Sequence, residues 1–227
     1  MKLSIRTVLA DAFGVLLFRQ PSPAIATHWP VYLVLGLFFT GLAGVGRYWD
    51  NPRAEPWQQF GLGSLGYVVC LALFLWLIVL PLKPERWSYR NVLVFLTLTA
   101  PPALLYAIPV EQFMSLSAAR SVNAWFLGVV ALWRVALLIW FLRVIANLGD
   151  AATLVATFLP LVLIVVALTT LNLEHVVFEF MSGMRNQSSG NDTAFAVVWA
   201  LSLLAVVTSP FLIVAYVWLV FKTWRAS

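Results

Sequence analysis

The sequence predicts an all-α protein, a polytopic transmembrane helical bundle of about six spans with a short N-terminal interfacial helix. Three observations predict it. Of the 227 residues 62% are hydrophobic and only 10% carry charge, whereas a soluble domain carries roughly 25% charged residues. The acidic and basic side chains are too few to cover the surface of a small globule, while lipid solvates an apolar exterior directly. The mean hydropathy of +0.92 points the same way. Finally, the apolar residues fall into six runs, and the segments between them are too short to fold as independent domains.

Residues 1–29 read as a cytoplasmic or interfacial segment. Val8, Leu9, Phe13, Leu16 and Leu17 recur near helical spacing among Lys2, Arg6, Asp11 and Arg19, the pattern of a helix lying in the membrane surface. Pro21 and Pro23 are expected to end it. The start resembles a signal sequence, but Asp11 and Arg19 interrupt it and no small-residue cleavage pattern follows, so it is expected to be retained. Residues 30–221 then form the transmembrane domain and 222–227 a cytoplasmic tail.

The first span, 30–46, is short for a core of ~30 Å unless it borrows residues from 24–29. It closes in a glycine-rich stretch, Gly41, Gly44 and Gly46. The second, 60–82, opens with Gly61, Gly63 and Gly66, small residues that let a neighbouring helix approach. The third, 92–109, contains Pro101-Pro102. Two prolines remove amide donors and bend the ladder, so this segment is expected to face other helices that satisfy the freed carbonyls. The fourth, 122–142, carries Arg134, the one charge inside the six cores, with Arg143 just beyond it. The fifth, 151–173, is interrupted only by Pro160, and the sixth, 194–221, has Pro210 near its middle, a second expected helix break.

With six spans both termini share a side. Lys2, Arg6, Arg19, Lys83, Arg86, Arg90, Arg143, Lys222 and Arg225 fall there, against Arg47, Arg53, Arg120 and Arg185 opposite, so both termini are predicted to be cytoplasmic. The net charge of +5 is scattered between apolar runs. It suits an anionic leaflet and phospholipids, not a nucleic acid. Tryptophans near the predicted span ends, among them Trp29, Trp49, Trp87, Trp140, Trp218 and Trp224, read as interfacial anchors. A single cysteine, Cys70, excludes an internal disulfide and paired-thiol metal or redox motifs.

Candidate functional residues are few. Arg134 within a span costs several kcal/mol unless it pairs, reaches an interface or meets water, which makes it a contact for a partner, a ligand or the interface. Pro101, Pro102 and Pro210 mark helix breaks of the kind that build transporter sites. On the far side, Glu174, His175 and Glu179 offer three potential ligands, with His175 and Glu179 on one helix face. They lack the second histidine of a zincin, and an amphipathic extension of the fifth helix explains them without a metal, so an external contact is the reading kept. The loop 46–60 mixes four charges with Trp49 and Trp57 and is a further external surface; Lys83, Arg86 and Arg90 form a basic patch suited to lipid phosphates. No nucleophile, base and orienting-group arrangement and no phosphate loop is visible. No catalytic, metal or cofactor-binding residue is assigned.

The stretches YRNVLVFLTLTAPPALLYAIP and ALWRVALLIWFLRVIANLGDAATLVATFLP, within residues 89–160, resemble the later spans of bacterial proteins of the Yip1-like superfamily. That family usually has five spans, against six here. The resemblance implies a polytopic scaffold associated with membrane organisation, in the bacterial inner membrane, and supplies no catalytic residue. The expected function is a non-enzymatic integral membrane scaffold or accessory subunit of a complex, self-associated or bound to other subunits. The alternative is a small transporter or channel for an ion or anionic solute.

Overall fold

The computed structural model describes residues 4–49, 54–171 and 192–225. Helix α1 (Ile5–Leu16) starts where the Ser4 hydroxyl accepts the Thr7 amide at 3.2 Å. It stops short of the prolines expected to end it. Phe18 enters the left-handed region at φ 59°, and the amides of Phe18 and Arg19 close on the carbonyls of Val15 and Gly14 at 3.1 and 2.9 Å, a Schellman arrangement. Pro23 instead opens α2 (Pro23–Thr27), where its missing amide costs nothing.

Helix α1 does more than lie on the surface. Val8 and Ala12 join Tyr32, Val94 and Leu98 in one buried cluster, and the Asp11 carboxylate accepts the hydroxyl of the fully buried Tyr32 at 2.5 Å. The indole of Trp133 donates to the Leu16 carbonyl at 3.0 Å. These contacts dock the N-terminal helix onto the spans.

Among the described residues five helical segments are long and apolar enough to cross a membrane, and a bent pair makes a sixth crossing if it is one span. The first crossing is α3 (Trp29–Tyr48), whose 20 residues span ~30 Å at 1.5 Å per residue. A short turn, α4 (Pro56–Gln59), leads to α5 (Leu62–Val79), which runs into a 3-10 turn, Leu80–Leu82. The third crossing is α6 (Tyr89–Leu98) followed by a 3-10 segment, Pro101–Ala107, bent by 42°. Then come α7 (Leu116–Val144), α8 (Asp150–Thr170) and α9 (Asp192–Arg225). The fold is therefore an all-α membrane bundle, with the sixth crossing counted when the bent pair is one span.

The glycines near the end of α3 are not a helix terminus but a packing surface. A Cβ at Gly44 would lie 2.8 Å from the Gly61 Cα, and one at Gly46 would lie 2.5 Å from the Ala107 Cβ. In lipid, helices gain nothing by hiding apolar surface from one another, so close backbone approach supplies the attraction. The helix accordingly continues through Gly46 and takes in Arg47 and Tyr48.

The broken third crossing packs between α3 and α5, as its double proline requires. Val92, Phe95, Thr97 and Leu98 are buried. The Phe95 ring stacks on Phe141 of α7 with centroids 4.0 Å apart and 7° between planes. Trp29 lies beneath Arg90, Gly36 against Thr97 and Gly46 against Ala107, the same offset each time, so α3 and the third crossing run parallel. Ala103 and Val130 share a buried cluster with Ala43. Since Phe95 meets Phe141 and Ala103 meets Val130, α7 runs antiparallel to both.

At the end that holds α1, short connections interlock. The Glu85 amide donates to the Ala146 carbonyl at 2.9 Å and the Asn147 side-chain amide to the Glu85 carboxylate at 2.9 Å. Arg143 and Asp150 form an exposed ion pair. The final helix reaches the same end, where Trp224 donates to the Pro81 carbonyl at 3.0 Å and Lys83 lies over the Trp224 ring. Cation–ring contacts at Trp29, Trp218 and Trp224 fit the anchoring role expected of tryptophans near span ends.

The expected break at Pro210 does not form, because α9 is continuous through it. Proline at 210 removes the amide that would bond the Val206 carbonyl, and the Ser209 hydroxyl donates to that carbonyl instead, at 3.0 Å. Ser209→Ala should therefore lower stability by about 1 kcal/mol. In Ser209→Ala/Pro210→Ala the restored amide should recover most of that loss. Denaturation of the four proteins of this cycle in mixed detergent tests the assignment, and additive effects would refute it.

Candidate functional site: an arginine pair between three spans

Arg134 is half-buried on α7, and the fold brings a second arginine to it. Arg47 lies one turn beyond Ala43 on α3, and Arg134 one turn beyond Val130 on α7. Side chains on a helix lean toward its N-terminus. On antiparallel helices these two therefore lean toward each other, over the layer formed by Ala43, Ala103 and Val130. Arg134 lies within electrostatic range of Arg47.

The third wall is the 3-10 segment after the double proline. Tyr106 sits under Arg47, whose guanidinium carbon is 5.2 Å from the ring centroid, and it feels the charge of Arg134 as well. The neighbouring Trp49 indole donates to the Ala107 carbonyl at 3.2 Å, tying the end of α3 to this segment. Tyr67 of α5 also lies within electrostatic range of Arg47.

Among the described residues neutralisation of this site is incomplete. The enclosed Arg47 Nε has no hydrogen-bond partner among the described residues, and among them no carboxylate forms an ion pair with Arg47 or Arg134. An aromatic face stabilises a cation by roughly 0.5–2 kcal/mol, well below the several kcal/mol that an ion loses on leaving water. Two like charges held together add repulsion. The site is thus electropositive and suited to an oxyanion.

Of the residues singled out from sequence, Arg134, Pro101 and Pro102 come together here, the prolines by turning the third crossing so that Tyr106 faces Arg47. Pro210 lies apart, in a shallow apolar groove with Phe211, Val214, Ala215 and Trp218. Glu174, His175 and Glu179 lie outside the described residues. Among the described residues no group of three or more His, Cys, Asp or Glu could hold a metal ion. From sequence alone Arg47 falls in an external loop, because the three glycines before it look like a helix end. The available signal was the length deficit of the first span, which two more residues after Gly46 relieve.

No protein-family model, no curated protein and no solved structure matches this chain.

Proposed function

We propose that this polytopic membrane protein is a non-enzymatic scaffold or accessory subunit that engages an anionic group belonging to another molecule. The observation that carries this reading is the Arg47–Arg134 pair, a concentrated positive charge between spans with no carboxylate partner among the described residues. A charge left in that state is stabilised when a partner supplies the counter-charge. The reading includes the resemblance to Yip1-like scaffolds over residues 89–160, and a location in a bacterial inner membrane with both termini cytoplasmic.

A second reading, a transporter for an anionic solute, draws on the same site, because one of its walls is a discontinuous span at Pro101-Pro102. Native copurification from intact membranes, with mass spectrometry of retained proteins and lipids, discriminates the two. Arg134→Leu should insert normally yet retain its anionic partner about tenfold less. Unchanged retention would reject the scaffold reading. Anion flux in proteoliposomes that disappears in the same variant would favour transport.

A further inference from the structure

The scaffold reading leaves the chemistry of the anion open, and the geometry of the pair narrows it. We infer that the Arg47–Arg134 site binds a phosphate group, the chemistry shared by a phospholipid headgroup and a free phosphate. This inference rests on the reading of the site as an anion receptor and names its ligand class.

Three features carry it. First, the donors come from two different spans. Each guanidinium is a planar fork able to give two parallel N–H bonds to a pair of oxygens, and the two forks are carried by different, antiparallel spans, α3 and α7, on either side of the Ala43, Ala103 and Val130 layer. One planar carboxylate presents its two oxygens along one edge and suits a single fork; a tetrahedral phosphate presents oxygens to both. Second, the pair supplies two positive charges, with the Tyr106 ring beneath Arg47, which matches an anion whose charge is shared over several oxygens.

The third feature is depth and access. Arg47 lies in the last turn of a helix just long enough to cross the membrane, so its guanidinium hangs from the interface into the apolar layer. Interfacial phosphates lie at that boundary. On the α5 side Tyr67, which lies within electrostatic range of Arg47, is 52% exposed. A phosphate at the membrane surface can therefore reach the Arg47 guanidinium from that boundary.

The test uses the purified full-length chain in nanodiscs of phosphatidylcholine with and without phosphatidylglycerol, reading retained lipid by native mass spectrometry and thermal stability by tryptophan fluorescence. Phosphatidylglycerol should be enriched on the wild-type chain, and Arg47→Gln and Arg134→Gln should each reduce that enrichment about tenfold. Arg134→Lys, which keeps the charge but loses the fork, should lose an intermediate amount. The lysine variant keeps the inference testable if a glutamine variant fails to fold.

Stabilisation by inorganic phosphate but not acetate, abolished in Arg134→Gln and without lipid enrichment, would support the same chemistry from a soluble source. No enrichment and no response to phosphate would overturn it. Loss of a copurifying protein in Arg134→Gln with lipid content unchanged would overturn the phosphate assignment while leaving the scaffold reading intact; no change in protein, lipid or anion binding would remove both. A double-mutant cycle showing strong stability coupling between Arg47 and Asp50 or Glu111 would also overturn the inference, because the counter-charge would then be internal.

Discussion

Gly61→Ala should destabilise the fold by about 3 kcal/mol, from two causes that add at one atom. Gly61 precedes α5 with φ +68°, a conformation that costs an L-residue roughly 1–2 kcal/mol. Its missing Cβ would also press against the Gly41 carbonyl oxygen and come within 3.1 Å of the Val45 amide nitrogen. Both are backbone atoms of α3 and cannot rotate away, so the helices must part at an overpacking cost of roughly 1–3 kcal/mol. Gly66→Ala, about one turn from the start of the same helix, is the control. Nothing lies within 4 Å of a Cβ there, and the better helix propensity of alanine should leave stability unchanged or raise it by up to about 1 kcal/mol. Equal behaviour of the two variants on denaturation would contradict the close α3–α5 approach.

Gly36→Val should cost about 3 kcal/mol as well, at a different seam. A Cβ at position 36 would stand 2.6 Å from the Thr97 Cβ and 2.9 Å from the Thr97 carbonyl carbon, and Thr97 is fully buried with its hydroxyl bonded to the Val94 carbonyl at 2.9 Å. The branched side chain has no free volume to enter, so α3 must move off α6. Because the same seam continues through Gly46 and Ala107 to the Arg47–Tyr106 contact, the substitution should weaken anion retention as well as stability. Thr97→Gly in the same chain should return part of both losses. Strictly additive effects at 36 and 97 would show that these residues do not share the seam.

Arg134 and Arg47 show how differently two residues of one site were legible. An arginine surrounded by apolar residues on both sides is conspicuous whatever the tertiary fold, because its cost comes from the membrane itself. Arg47 follows Gly41, Gly44 and Gly46, and sequence gives glycine two meanings, helix end or close helix contact. Only the neighbours at Gly61, Ser64 and Ala107 decide for contact. Pro210 misled for a related reason: a proline announces a lost amide, but the substitute donor from Ser209 is a matter of rotamer geometry.

The all-α bundle, its crossings and the bend at Pro101-Pro102 were determined by sequence alone, because each follows from a local property: apolar length against membrane thickness, and amide donors present or absent. The docking of α1 through Asp11 and Tyr32, the parallel seam of α3 with the third crossing and the convergence of Arg47 on Arg134 were decided only by tertiary structure. In lipid nearly every face of an apolar helix is equally acceptable to the solvent, so hydrophobic periodicity does not say which face turns inward. Small-residue fit and a few hydrogen bonds choose it, and they act between residues far apart in the chain.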